Sequence, residues 1–133
     1  MDTRINVEFE IKSNQIKPDE ITNYLGILPT RKLLTGDFIG KTLIRMKNNI
    51  WCLSVKTQEN SLDLTDYLTP IIEQLMPKKE IISKLCLEND VTCVFECGLR
   101  IHEQHPIMDL SPKLLSNIVE LRASLDIDIV WIV

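Results

Sequence analysis

SPKLLSNIVELRASLDIDIVWIV, residues 111–133, changes its apolar period halfway along. Ser111 carries an oxygen able to accept from free helical N–H groups, and Pro112 suits the first helical position. Leu114, Ile118, Leu121 and Leu125 recur at spacings of four, three and four, which stacks them on one helical face. From Asp126 the period becomes two. Ile127, Ile129, Trp131 and Val133 share one face, while Val130 and Ile132 make the other apolar as well. A strand apolar on both sides predicts an interior position, inserted last between strands made earlier, with Trp131 on its core face. Its truncation should therefore hurt folding.

Upstream lies a loop over residues 103–110 containing His105-Pro106, and before it residues 91–102 alternate. Val91, Cys93, Phe95, Cys97, Leu99 and Ile101 point one way, and Thr92, Glu96, Arg100 and His102 the other. Residues 3–12 behave alike, with Ile5, Val7, Phe9 and Ile11 opposed to Arg4, Asn6, Glu8, Glu10 and Lys12. Pro18 opens a short helix that Gly26 closes. Asp63 can cap a helix striped by Leu64, Leu68, Ile71, Leu75 and Met76. Pro70 either kinks that helix or starts a new one after Thr69. Pro77 divides it from a second helical segment over 78–87, in which Ile81, Ile82 and Leu85 face inward. Residues 58–62 read as a polar linker. Between the first two elements and this arm, residues 27–41 sustain no period. Residues 42–46 and 50–57 predict a hairpin about Lys47-Asn48-Asn49, with Trp51, Leu53 and Val55 on the core face of its second strand.

The order strand, helix, hairpin, long helix, strand, helix, strand predicts an α+β two-layer sandwich. Its sheet is expected to hold four to five strands, mixed or antiparallel, with the helices on one face and a single domain over 1–133. Odd-numbered residues form the apolar set in the long strands. The opposite face then gathers Glu8, Glu10, Glu96, Asp126 and Asp128 with Arg4, Lys56 and Arg100.

Of 133 residues, 44% are apolar and 26% charged, the balance of a soluble globular chain large enough for a real core. The N-terminal residues carry no apolar signal region, and no apolar run is long enough to cross a bilayer, so a cytoplasmic location is expected. Cys93 and Cys97, four residues apart on one strand face, stand about 13 Å apart and cannot bond. All four cysteines are expected as reduced thiols. Net charge is −4, but Arg31, Lys32, Lys41, Arg45 and Lys47 against Asp37 give residues 31–47 a local +4, leaving −8 on the remainder. That acidic body favours a basic partner protein over nucleic acid.

Chemistry-bearing constellations are thin. Cys93, Cys97, His102, Glu103 and His105 are metal-ligand types, yet they fall on opposite strand faces and in a loop, without a closed four-ligand spacing. No metal or cofactor is expected. Gly40-Lys41-Thr42 resembles the tail of a phosphate loop, but Gly36 precedes Gly40 by one residue too few and no helix is predicted to follow. Asp126 and Asp128, about 7 Å apart, are a carboxylate pair better read as a solvated strand face than as an acid/base couple. No nucleophile elbow or orienting triad is present, so no enzymatic activity is expected.

KPDEITNYLGILPTR (17–31), Gly36-Asp37, Trp51 and LRASLDIDI (121–129) occur together and in order. In these segments the chain resembles the bacterial domain of unknown function 4279. The resemblance brings no catalytic motif. It implies a small protein of the kind found as immunity or accessory proteins beside bacterial toxins. The expected function is thus a non-enzymatic module that neutralises a nuclease-type toxin domain through Glu8, Glu10, Glu96, Asp126 and Asp128. The alternative is a small-ligand or nucleic-acid binder using Arg31, Lys32, Lys41, Arg45 and Lys47.

Overall fold

Two long alternating segments make the centre of the sheet. In the computed structural model, which describes residues 2–56 and 60–132, strand β1 (Arg4–Ser13) pairs antiparallel with β4 (Thr92–Ile101). Their register runs from Arg4 opposite Arg100 to Lys12 opposite Thr92. On the inner face Phe9 and Phe95 meet with ring centroids 4.9 Å apart, both fully buried. On the far side of β1 lies β3 (Asn49–Leu53), and outside it the three-residue β2 (Arg31–Leu33). Strand β5 (Ala123–Trp131) joins the other flank, parallel to β4, so the sheet order is β2-β3-β1-β4-β5. The chain is therefore an α+β protein with a five-stranded, mostly antiparallel mixed sheet.

Helices cover the odd-numbered face. Helix α1 (Pro18–Leu25) begins on its proline, with Asp19 and Glu20 in the first turn where the dipole favours them. It ends at Gly26, whose φ of 68° is open to glycine without a Cβ penalty. Helix α2 (Thr65–Leu75) runs straight through Pro70, so no second helix starts there. The predicted break at Pro77 is a 3-10 turn, Met76–Lys78, leading into α3 (Lys79–Glu88). Leu64, Leu68, Ile71 and Leu75 are fully buried, joined by Ile82 and Leu85 from α3. Helix α4 (Pro112–Glu120) starts as its sequence predicts, the Ser111 Oγ accepting from the Leu114 N–H at 3.1 Å. Ser111→Ala should cost about 1 kcal/mol in a urea melt, the usual worth of an N-cap. A loss indistinguishable from zero would mean that packing alone holds this helix end.

Three expectations fail. First, β5 is an edge strand, not an interior one, and Trp131 is 62% exposed. Helix α4 ends at Glu120 and the chain turns at Arg122 (φ 54°), so Leu125 belongs to the strand and not to the helical stripe. A nine-residue helix reaches only the start of β5, and beyond it exposure rises from 37% at Ile127 to 62% at Trp131. Second, residues 42–46 form no strand, only the isolated bridge between Phe38 and Arg45. Asn49 is the first residue of β3, and its side chain accepts from the Thr35 N–H at 2.9 Å and donates to the Ile16 carbonyl at 3.3 Å. It is thus a buried anchor where a hairpin turn was expected. Third, β3 is buried on both faces and is the doubly covered strand, with Trp51 and Cys52 fully enclosed and Val55 half-buried beyond its end. The predicted positions of residues 57–59 and of Val133 lie outside the described residues.

Candidate functional site

Register turns the parity of the sequence into a geometry. Glu8 lies opposite Glu96, and Glu96 opposite Asp126, so three carboxylates form one row across β1, β4 and β5. Neighbouring strands stand about 4.8 Å apart, and like charges directly opposite one another are destabilising. The next row sets Asp128 beside Gly98, which leaves it without a side chain opposite. All five predicted acidic residues share the face that the helices leave uncovered. They do not share an environment.

Asp126 and Asp128 are exposed and Glu8 and Glu96 half-buried, but Glu10, on the same face, is only 7% exposed. Arg31 and Lys12 account for this. In β2, Arg31 reaches across Cys52, its cross-strand neighbour, and donates from Nε and Nη2 to the two Glu8 oxygens at 2.9 and 2.8 Å. The same Nη2 stands 3.7 Å from Glu10, while the Lys12 ammonium lies 3.6 Å from Glu10 and 3.8 Å from Glu96. Glu10 is thereby roofed by two cations without a close hydrogen bond from either.

The protonation of the row follows. Burial works to raise the Glu8 carboxyl, but the Arg31 hydrogen bonds outweigh it and hold Glu8 below its ordinary value. Burial, with Glu8 alongside, pushes Glu10 up to about 7. Glu96 is raised as well, by burial and by Asp126 next to it. Beneath them, burial and the Glu8 charge push the Cys52 thiol up to about 12.

A cavity of about 790 Å³ opens over this face, bordered by Glu8, Glu10, Glu96, Arg31, Lys56 and Tyr67. Strand β3 pairs β1 only from Phe9 to Ser13, so the cavity sits where β1 runs on past its neighbour. Among the described residues, Glu8, Glu10 and Cys52 are the grouping whose ligand atoms come together, within 4.8 Å. Arg31 already occupies the Glu8 oxygens there, and a thiol held near 12 is a reluctant ligand. The sequence-derived set of Cys93, Cys97, His102, Glu103 and His105 is not brought together. Cys93 and Cys97 are buried in the core, while His105 lies in a surface loop against Trp131, ring centroids 6.2 Å apart.

The basic segment does not form one surface. Arg31 is bound to Glu8, and Lys32 donates to Asp19 at 2.8 Å from the opposite side of the sheet edge. Arg45 lies over the Phe38 ring at 4.2 Å and donates to the Gly36 carbonyl at 2.9 Å. Lys41 and Lys47 are exposed in the intervening loop. The most consequential residue of the site, Arg31, thus joins what the sequence presented as two rival sites. No signal of period or spacing marks it, because a three-residue strand is too short to alternate visibly.

Fold and site together define a class: a two-layer α+β sandwich whose open sheet face carries a row of carboxylates held by an arginine and a lysine. The family model described as domain of unknown function (DUF4279) matches residues 3–131, and the chain belongs to that family. No curated protein and no solved structure matches it. No helix among the described residues is long and apolar enough to cross a membrane.

Proposed function

We propose that this chain is a non-enzymatic protein-binding module, an immunity protein that neutralises a nuclease-type toxin domain by occluding its basic active-site surface. The observation that carries the reading is the carboxylate row Glu8–Glu96–Asp126, continued by Asp128, on the open face of the sheet. Cross-strand like charges cost stability, by up to about 1 kcal/mol a pair, and a cationic partner relieves that repulsion on docking. The exposed aspartates supply the long-range field, and half-buried Glu96 beside them becomes the desolvated contact once the partner is seated, Glu8 being held by Arg31. A nuclease presents such a cationic surface because it must hold phosphates, so the acidic face competes for the groups that bind substrate. The −8 balance outside residues 31–47 supports the same orientation.

Reversing Asp126 and Asp128 together to lysine should leave melting unchanged or raise it slightly, because both are exposed edge-strand positions and the Glu96–Asp126 repulsion is removed. Association with the product of the adjacent gene, the first partner to test, should slow by about tenfold at low salt and lose most of its salt dependence. Lys41→Glu with Lys47→Glu should leave the on-rate intact. The reading is wrong if the aspartate reversal has no effect on association while the loop reversal abolishes it, the pattern expected of a phosphate- or nucleic-acid-binding loop.

A further inference from the structure

The buried cysteines are not all alike. Cys86, in the last turn of α3, and Cys93, near the start of β4, approach to 3.7 Å between sulfurs across the turn at Asn89–Val91. The two sulfurs are in direct contact, and a disulfide would close that separation to about 2.05 Å. Cys86 is half-exposed and Cys93 buried behind it. On the same helical face, one turn before Cys86, Ser83 accepts from Arg122 Nε at 2.8 Å, which pins a guanidinium near the Cys86 sulfur. We propose that Cys86 and Cys93 form a peroxide-reactive thiol pair, with Cys86 the attacking sulfur and Cys93 the resolving one.

Three features agree on that division of labour. The sulfur–sulfur hydrogen bond with Cys93, in which either thiol can donate, outweighs the effect of burial and, with the Arg122 charge, brings Cys86 down to about 7. Cys93, bonded to Cys86 and enclosed, is driven the other way. Of the two residues only Cys86 is partly exposed, so it is the one a reagent from solvent can approach. Cys52 and Cys97, both buried and pushed up to about 12, serve as internal standards of an inert thiol.

The chemistry balances with a hydroperoxide as oxidant. The Cys86 thiolate attacks the distal peroxide oxygen, an S–O bond forms as the O–O bond breaks, and the departing alkoxide takes up a proton. Cys86 is then a sulfenic acid, oxidised by two electrons, and the peroxide has become an alcohol, or water where it was hydrogen peroxide. The Cys93 sulfur attacks the sulfenic sulfur, expelling its oxygen as water with the Cys93 proton, and the disulfide is complete. The product ties the end of α3 to the first residues of β4 and is reopened by a dithiol. It leaves the carboxylate face untouched, since Cys93 belongs to the opposite parity.

The test uses the intact reduced chain and hydrogen peroxide, followed by alkylation and non-reducing peptide mapping. A Cys86–Cys93 linked peptide within the monomer, reversed by dithiothreitol, is expected, with Cys52 and Cys97 still free. Cys93→Ser should instead trap a dimedone adduct on Cys86, and in the native protein iodoacetamide should label Cys86 at least about tenfold faster than Cys52 or Cys97. Because the wild-type map stands alone, a Cys93→Ser variant that folds poorly does not spare the proposal. Oxidation of Cys86 to sulfinic acid without a linked peptide overturns it, as does a crosslink between chains or a Cys86 labelled no faster than Cys52.

Discussion

Trp51→Ala is expected to lose about 4 kcal/mol, a large share of the stability of a domain this size. The indole is fully buried in β3, and its Nε1–H donates to the Thr22 Oγ1 of α1 at 3.0 Å. Truncation leaves a cavity between helix and sheet and strips the threonine hydroxyl of its partner, so transfer, cavity and hydrogen-bond costs coincide. Trp131→Ala removes an equally large ring from the exposed end of β5 and should cost under about 1 kcal/mol. Urea melts of both variants make the comparison. Equal losses would mean that β5 is covered in solution by something that screens Trp131, and a mild Trp51 variant would place α1 off the sheet.

Stability should also fall as pH rises from about 5 to 7.5, contrary to the usual behaviour of carboxylates. Glu10 has an ordinary value of 4.5 and is held near 7 in the fold, so between those values the folded chain keeps a proton that the unfolded chain has released. Folding is then penalised progressively through that window and fully above it, to a ceiling of about 3 kcal/mol. Glu8 works in the opposite sense. Held below its ordinary value by Arg31, it adds stability that is present above the unfolded value and lost as pH falls through the folded one. Most of that change lies at lower pH. Glu96, also raised, acts in the same sense as Glu10, while Cys86, brought down to about 7, adds a smaller opposing stabilisation that begins near that pH, so Glu10 dominates the window. Glu10→Gln keeps the shape and removes the titration. It should melt like the wild type near pH 5 and be more stable near pH 8 by most of that ceiling of about 3 kcal/mol. Parallel pH profiles for the two proteins would show that Lys12 and Arg31 already neutralise Glu10 at its resting distance.

The acidic site was legible to a limited depth. Parity alone placed Glu8, Glu10, Glu96, Asp126 and Asp128 on one face, because alternation in a strand admits only two faces and the apolar residues claim one. Parity is blind to register, which put Glu8, Glu96 and Asp126 in a single row. It is equally blind to what lies above a residue, and hence to the burial of Glu10 beneath Arg31 and Lys12. The strand at Arg31 left no trace because three residues show no period. The thiol contact escaped for a related reason: residues seven apart meet only because the turn around Asp90, with φ 50°, folds β4 back beneath the end of α3.

The terminal segment marks the boundary between the two kinds of information. Its cap at Ser111, its helical stripe as far as Leu121 and its switch to alternation are local matters of hydrogen bonding and period, and the chain determines them wherever it lies. The same holds for Pro18 and Gly26 around α1 and for the break at Pro77. Whether β5 lies inside the sheet or at its edge is not local. Val130, Trp131 and Ile132 make it apolar enough for either, while Asp126 and Asp128 are the charges that keep an edge strand from pairing further. Tertiary structure decided the matter: β4 accepts one parallel neighbour, delivered by α4, and a nine-residue helix is too short to roof the strand beyond Leu125. With the core already filled by Trp51 and the Phe9–Phe95 pair, the second tryptophan was left at the surface.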